Sequence, residues 1–206
     1  MASHVYVVDD DASIRDSLAL MLGLAGYATR LFADAESFLA AFARDWSGCV
    51  VADLRLPGMS GIELQDEIRR RGSSIPFVII TAHGDVPAAR AAFRGQAVDF
   101  IEKPFDEPQL RAAIETAFAL ERQRAGTERK RHAQAEKLAR LTDREREVLR
   151  YAATGLHAKE IAAALGISPR TVEVHKTRIM EKLQVRNIGE LVRFALTAED
   201  GGEERG

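Results

Sequence analysis

The sequence has little of what builds secreted or membrane-spanning proteins. Its single cysteine, Cys49, excludes an intramolecular disulfide framework and indicates a reducing compartment. No run of residues stays apolar for the length that a bilayer requires, and residues 1–4 carry no signal-peptide pattern. We therefore expect a cytoplasmic protein that has no membrane partner.

Charge is unevenly distributed, although the whole chain has a formal net charge of −2. Residues 1–120 hold 11 Lys and Arg against 17 Asp and Glu, which gives a net charge of −6. Residues 121–198 hold 17 against 10, which gives +7. A basic region attracts polyanions and an acidic region repels them. The charge pattern therefore indicates that only the second half contacts nucleic acid.

Short apolar runs alternate with amphipathic segments along the first 120 residues. Runs of this kind are typical of buried strands, and apolar residues spaced by three and four are typical of helices. Their alternation predicts an α/β fold with a doubly wound five-stranded parallel sheet covered on both faces. The expected strands are 5–8, 28–32, 49–52, 77–80 and 98–101, and the expected helices are 12–25, 35–43, 62–71, 86–94 and 107–120.

From Leu141 onward the patterns are helical, and several helix starts are marked. Thr142 and Glu145 have the spacing of a capping box. Ser168 suits an N-cap and Pro169 suits the first position of the helix that follows. A last helix is expected over 188–196. These features predict a small all-α domain of four helices.

The segment 122–137 is almost wholly polar and has two interpretations, an extension of the preceding helix or a flexible hinge. Periodicity does not decide between them. The predicted organisation is a first domain at 1–121, a charged linker or helix extension at 122–137, a second domain at 138–198 and a frayed acidic tail at 199–206.

Polar residues stand where the predicted strands end. Asp9 and Asp10 follow the first strand, Asp53 the third, Thr81 the fourth and Lys103 the fifth. Parallel sheets of this type bind ligands beyond these strand ends. Clustered carboxylates need a cation, and Mg²⁺ takes one or two carboxylates together with water and phosphate oxygens. A carboxylate beside Mg²⁺ is a nucleophile for phosphoryl groups, and an ammonium and a hydroxyl stabilise the phosphoryl oxygens.

Each of these residue types also has a purely structural interpretation. An acidic run after a strand is often a helix cap, and Asp11 is assigned that role. Cys49 lies in a buried strand and is assigned to the core. Phe100 has a core interpretation as well, and His83 is assigned to local packing rather than to tuning of the site. The ordered set of strand-end residues, rather than any one of them, indicates function.

The runs VVDDD at 7–11, ADLRLPGMSG at 52–61, TA at 81–82 and EKPF at 102–105 closely resemble two-component receiver domains. The resemblance implies that Asp53 is the phosphoacceptor. It implies that Asp9 and Asp10 bind Mg²⁺ together with Asp53, and that the backbone carbonyl of Arg55 is a further ligand.

The same resemblance assigns a switch pair. Thr81 moves toward the phosphoryl group in this family, and Phe100 occupies the position of the aromatic residue that then rotates inward. The run TAHGDVP at 81–87 resembles the FixJ-type branch, where a glycine usually stands at the position of Ala82.

The helix expected over 168–183 has one apolar stripe. At about 100° per residue, Val172, Ile179 and Leu183 share a face and are expected in the core, with His175 packed at its edge. The opposite face is available to DNA. The expected base-reading residues are Arg170, Glu173, Val174, Thr177 and Arg178, and the expected phosphate contacts are Thr171, Lys176 and Lys182.

The segment 138–196 resembles a LuxR/NarL-type helix-turn-helix domain of four helices, through its runs at 141–149, 159–162 and 167–183. The positions that contact DNA in that family correspond to Glu173, Val174 and Thr177, in agreement with the helical geometry. The resemblance therefore predicts binding of double-stranded promoter DNA.

Together these observations predict a transcriptional response regulator that is not an enzyme beyond its own phosphoryl transfer and autodephosphorylation. The resemblance implies a sensor histidine kinase as phosphodonor and a homodimer through the fourth helix, fifth strand and fifth helix. The last helix is expected to be a second dimer contact, and RNA polymerase is a further expected partner.

Two other classes of function stay open at this point. A Mg²⁺-dependent phosphohydrolase would use the same aspartyl-phosphate chemistry, although the attached DNA-binding domain argues against it. A DNA-binding protein that ignores phosphorylation would keep the first domain as a docking module.

Overall fold

The structure is a computed structural model that describes residues 4–82 and 86–199, without the side chains of 86, 88 and 197–199. The chain divides between Ala125 and Gly126 into two compact units. The histidine assigned to local packing, His83, lies outside the described residues. The same is true of residues 200–206 of the predicted tail.

The first unit is built on a five-stranded sheet of order β2-β1-β3-β4-β5, in which every neighbouring pair is parallel. This confirms the doubly wound α/β fold, with each boundary within two residues of its prediction except at the end of α5. The strands are β1 His4–Val8, β2 Ala28–Phe32, β3 Cys49–Asp53, β4 Phe77–Thr81 and β5 Asp99–Glu102. The helices are α1 Ala12–Leu24, α2 Ala35–Ala41, α3 Gly61–Arg70, α4 Val86–Arg94 and α5 Glu107–Ala139.

The three central strands are buried because helices cover both faces of the sheet. One face packs against apolar residues of α1 and α5, such as Leu18 and Ile114. The other packs against α2, α3 and α4, through residues such as Phe38 and Leu64. Cys49 is fully buried and burial raises the pKa of its thiol, which agrees with its assignment to the core.

Helix α5 continues far beyond its predicted end at residue 120. It runs unbroken to Ala139, so residues 122–137 are helical rather than a non-helical hinge. Its buried residues end at Phe118, and residues 127–133 are all exposed. An apolar stripe predicts a packed helix, and the polar part of α5 has no such stripe. The predicted domain boundaries therefore fall inside one continuous helix.

The second unit contains the end of α5 and four more helices, α6 Asp143–Ala153, α7 Ala158–Leu165, α8 Pro169–Leu183 and α9 Ile188–Glu199. Thr142 and Glu145 form the predicted capping box, and Ser168 caps α8 with Pro169 in its first turn. Buried residues of all four helices meet in one core, for example Val148, Ile161, Ile179 and Leu191. No helix within 4–82 and 86–199 combines the length and apolar composition needed to span a bilayer.

Candidate functional site

The strand ends of the sheet bring four of the predicted site residues together. Asp53 is the last residue of β3 and Thr81 the last of β4. Beyond β5, the amide of Lys103 donates to the carbonyl of Thr81 at 2.7 Å, which places Lys103 beside the end of β4. Because all strands are parallel, Asp9 after β1 lies at this same edge.

Three carboxylates form an acidic cluster at this edge. Asp9, Asp10 and Asp53 each offer an oxygen, and these oxygens lie within 4.8 Å of one another. Asp9 is fully buried, Asp53 is 7% exposed and Asp10 is exposed to solvent. Carboxylates this close repel one another unless a cation shares them. The cluster therefore has the chemistry of a hard-cation site with one side open to solvent.

Lys103 supplies positive charge inside the cluster. Its Nζ lies 2.5 Å from Oδ2 of Asp53 and 2.8 Å from Oδ2 of Asp9. Burial by itself lowers the pKa of Lys103, but hydrogen bonds and charge from Asp53 and Asp9 outweigh it and raise that pKa above its usual value. The side chain is therefore held protonated between the two carboxylates. The peptide bond from Lys103 to Pro104 is cis.

The two buried carboxylates are also oriented by backbone amides. The amide of Arg55 donates to Oδ1 of Asp53 at 2.9 Å, and the amide of Asp11 donates to Oδ1 of Asp9 at 2.9 Å. Each carboxylate therefore has one oxygen on a backbone amide and the other on Lys103. The role of the Arg55 carbonyl as a metal ligand stays a prediction. Asp11 caps α1 by accepting from the amide of Ser13 at 2.8 Å, as expected.

Two supporting residues were missed by the sequence reasoning. The Arg15 guanidinium donates to the backbone carbonyl of Asp9 at 2.6 Å and so ties α1 to the end of β1. Gly61 starts α3 directly against the acidic strand end, because a Cβ there would lie 2.4 Å from the carbonyl oxygen of Asp53. The position of Arg15 one turn after Asp11 would have been a signal. Gly61 ends the run 52–61 that carries the receiver resemblance, but that resemblance was given no role for it.

The predicted switch residues lie on neighbouring strands. Thr81 is fully buried at the end of β4. Phe100 lies on β5 and is half-buried, packed against the core on the α2–α4 face of the sheet. Their positions match the predicted pair, and their movement on phosphorylation stays a prediction.

Helix α8 presents the two faces that its sequence predicts. Val172, Ile179 and Leu183 are fully buried, whereas Val174 is 44% exposed. Ser168 accepts a hydrogen bond from the amide of Thr171 at 3.1 Å and fixes the start of the helix. The predicted base-reading residues Arg170, Glu173, Val174, Thr177 and Arg178 are all exposed. The face is therefore accessible to a duplex, and the individual DNA contacts stay predictions.

The three predicted phosphate contacts all have partners within the unit. Oγ1 of Thr171 lies 2.8 Å from Oγ of Ser168. Lys176 is 12% exposed, and its Nζ lies 3.4 Å from Oε1 of Glu173. Lys182 donates to Oε2 of Glu145 at 2.6 Å. Their contacts with DNA phosphates stay predictions.

His175 lies at the edge of the buried stripe, as expected, and is half-buried. Within the described residues its Nδ1 is buried without a hydrogen-bond partner. The position favours packing over contact with DNA.

An acidic cluster with a lysine at the edge of a parallel sheet, followed by a helix-turn-helix unit, defines a response regulator with a DNA-binding domain. Residues 5–115 match the family of response regulator receiver domains, and residues 139–195 match the bacterial regulatory proteins of the luxR family. The chain belongs to the two-component response regulators of the FixJ type, in agreement with the predicted resemblance.

Similar proteins match along nearly the whole chain. Transcriptional regulatory protein FixJ of Bradyrhizobium diazoefficiens is 45% identical over 195 residues, which cover 95% of each chain. FixJ of Rhizobium meliloti is 44% identical over 96% of this chain and 97% of its own. The solved structure of response regulator StyR is 40% identical, has a TM-score of 0.86, and covers 96% of this chain and 100% of its own.

Proposed function

We propose that a sensor histidine kinase phosphorylates this protein on Asp53 in the presence of Mg²⁺, and that the phosphorylated protein dimerises and binds promoter DNA through α8. The observation that carries the proposal is the pairing of the Asp53 carboxylate with Lys103 beside Asp9 and Asp10. A carboxylate placed in this way has a counter-charge for the phosphoryl oxygens already in position.

The donor set fits Mg²⁺. Asp9, Asp10 and Asp53 are oxygen donors that converge, and exposed Asp10 leaves the cluster open to water and phosphate oxygens. When bound there, Mg²⁺ would neutralise negative charge on the carboxylates and on the incoming phosphoryl group.

The transfer itself is a displacement at phosphorus. A carboxylate oxygen of Asp53 forms a bond to phosphorus while the bond from phosphorus to the kinase histidine nitrogen breaks, and the histidine leaves with the bonding electron pair. Lys103 remains beside the oxygen that has become phosphorylated, where its ammonium neutralises the added charge. The backbone amide of Arg55 holds the other carboxylate oxygen and so limits rotation of the side chain.

Phosphorylation would then act on the neighbouring strands. The Thr81 hydroxyl, buried at the end of β4, moves to hydrogen-bond the phosphoryl oxygens, and Phe100 on β5 turns inward. These two movements would change the conformation of the surface formed by α4, β5 and α5. We propose this surface as the dimer interface and α9 as a second dimer contact. Dimerisation would place two copies of α8 against half-sites about one helical turn apart.

We propose that the protein acts in the cytoplasm, where its kinase and promoter DNA are available, and that RNA polymerase is a further partner. It is not an enzyme in this proposal, because its own Asp53 is both the acceptor and the group that loses phosphate. A phosphohydrolase would instead turn over many molecules of a small phosphate ester per protein molecule.

The test compares the affinity for promoter duplex with and without acetyl phosphate and Mg²⁺. Wild-type protein gains affinity with the phosphodonor, and Asp53→Asn does not. Asp66→Asn makes the same chemical change on the exposed surface of α3 and should behave as wild type. Equal affinity in all conditions for wild type would contradict the switch and favour a DNA-binding protein that ignores phosphorylation.

A further inference from the structure

A buried carboxylate lies at the start of α6 in the second unit. Glu145 is 3% exposed, and its Oε2 accepts hydrogen bonds from Nζ of Lys182 at 2.6 Å and from the amide of Thr142 at 2.8 Å. Lys182 belongs to the last turn of α8, 37 residues away in sequence. The ion pair therefore joins the start of α6 to the end of α8.

The end of α8 has a second polar contact in the same region. Nζ of Lys137, near the end of α5, donates to the carbonyl oxygen of Leu183 at 3.2 Å. The side chain of Leu183 itself is fully buried. The C-terminal turn of α8 is thus held by two lysines and one core residue, while its N-terminal half carries the exposed face that includes Val174.

The free-energy cost of separating Lys182 from Glu145 determines whether Lys182 can contact DNA. A buried carboxylate without a cation is strongly unfavourable, and removing one partner of a buried pair costs far more than an exposed ion pair contributes. Lys182 is 35% exposed at its side chain, so solvent weakens the pair, but Glu145 is not exposed enough to be solvated in its place. A DNA phosphate that drew Nζ away would leave Glu145 buried without its cation.

We propose that Lys182 is a positioning residue that fixes α8 against α6 for base reading, and is not a phosphate contact. The proposal rests on the proposed DNA-binding role of α8. In this proposal the Lys182–Glu145 ion pair sets the position of the recognition helix, and other basic residues contact the phosphates.

The dependence of DNA affinity on salt separates the two roles. Each phosphate contact contributes about 0.9 to the slope of log K against log salt concentration. The full-length protein, phosphorylated with acetyl phosphate and Mg²⁺, is titrated against a random-sequence duplex, for which binding is almost entirely electrostatic. Lys182→Met is expected to keep the wild-type slope. Lys176→Met, at the other lysine predicted to contact a phosphate, is the positive control and should reduce the slope by about 0.9.

Base reading is measured with a second duplex, enriched from a random pool by the wild-type protein. The ratio of its affinity to that of the random-sequence duplex should fall on the order of tenfold in Lys182→Met, because a shifted α8 misplaces several base contacts. Lys182→Arg keeps the charge and should restore most of the ratio. All titrations are made under conditions where each variant is folded.

The ion pair itself is tested by unfolding the full-length protein in urea, with hydrogen exchange in α6 and α8 as the measure of unfolding in the second unit. Lys182→Met should raise the unfolding equilibrium constant, and adding Glu145→Gln should recover part of that loss, with a coupling on the order of tenfold. The double variant also keeps the test open if Lys182→Met alone is too unstable.

Three outcomes would overturn the proposal. One is a salt slope that falls in Lys182→Met as it does in Lys176→Met. Another is an unchanged affinity ratio in folded Lys182→Met, which would mean that the ion pair stabilises the fold but does not position α8 for base reading. The third is additivity in the double variant. Absence of duplex binding by wild type would instead contradict the proposed function, and the double variant would still test the link between α6 and α8.

Discussion

Nζ of Lys103 lies 2.5 Å from Oδ2 of Asp53, the carboxylate proposed to accept the phosphoryl group. The same ammonium contacts Asp9 at 2.8 Å, and each carboxylate turns its other oxygen to a backbone amide. Lys103 pairs with two buried carboxylates in this structure. In the proposed function it would also pair with the phosphoryl oxygens after phosphorylation.

Substitution of Lys103 tests its pairing with the two buried carboxylates. Lys103→Met should destabilise the first unit by about 3 kcal/mol in the absence of divalent cations, because Asp9 and Asp53 lose their buried counter-charge. Urea unfolding followed by fluorescence of Trp46, the single tryptophan, measures this loss. Arg111→Met removes a positive charge from the exposed side of α5 and should change stability by less than about 0.5 kcal/mol. Equal effects of the two substitutions would contradict a buried role for Lys103.

Mg²⁺ should stabilise the first unit, and chelation with EDTA should reverse the effect. A ligand that binds only the folded state adds about 1.4 kcal/mol at roughly ten times its Kd. Asp10 is exposed, so Asp10→Asn should fold normally and lose most of the Mg²⁺ effect. Asp16→Asn, an exposed acid on α1, is the control and should keep it. The measurement is Tm as a function of Mg²⁺ concentration. If Mg²⁺ raises the Tm of Asp10→Asn as much as that of wild type, Asp10 is not a ligand of the site.

Much of the first unit could be predicted because its signals are local and repeated. Apolar runs mark the strands, and a parallel sheet necessarily gathers residues that follow the strands at one edge. Asp9, Asp53, Thr81 and Lys103 could therefore be grouped without coordinates. On α8 the buried stripe of Val172 follows from helical periodicity in the same way.

Other features depend on tertiary contacts and solvent exposure, which the local sequence does not show. The polar part of α5 is helical but exposed, so it lacks the apolar stripe that reveals a helix in sequence. The partner of Lys182 lies 37 residues away, and a lysine on a helix looks the same whether it contacts DNA or a buried Glu145. Gly61 is required by the approach of the Asp53 carbonyl, which no local pattern shows.

Two helical glycines should respond oppositely to alanine. Gly61→Ala places a Cβ 2.4 Å from the Asp53 carbonyl oxygen and should destabilise the first unit by about 2 kcal/mol. Gly126→Ala meets nothing within 4 Å and should stabilise α5 by about 0.8 kcal/mol through helix propensity. Urea unfolding checks the first and helical circular dichroism on heating checks the second. Stabilisation by Gly61→Ala would show that the end of β3 can move away from α3.

Stability of the second unit should depend on pH through Glu145. Burial raises the pKa of Glu145, but hydrogen bonds from Lys182 and Thr142 outweigh it and hold that pKa below its usual value. A lowered folded-state pKa gives stability that is present above the unfolded pKa of about 4.3 and is lost as pH falls through the folded value. Hydrogen exchange in α6 and α8 between about pH 6 and about pH 3 should show this loss. Glu145→Gln should flatten the dependence, and an unchanged profile would assign it to other acids.

Val172 and Val174 give a matched pair on opposite faces of α8. Val172 is fully buried, so Val172→Ala should destabilise the second unit by roughly 2 kcal/mol. Val174 is 44% exposed, and Val174→Ala should leave stability within about 0.5 kcal/mol because little packing is lost and alanine favours the helix. If Val174 contacts a thymine methyl, the same substitution should weaken binding to the enriched duplex by about fourfold, the worth of one buried methylene. Fluorescence anisotropy measures the affinity for DNA, and hydrogen exchange in α8 measures the stability of the second unit. Unchanged affinity for the enriched duplex in Val174→Ala would remove Val174 from the base-reading face while leaving the buried face of α8 intact.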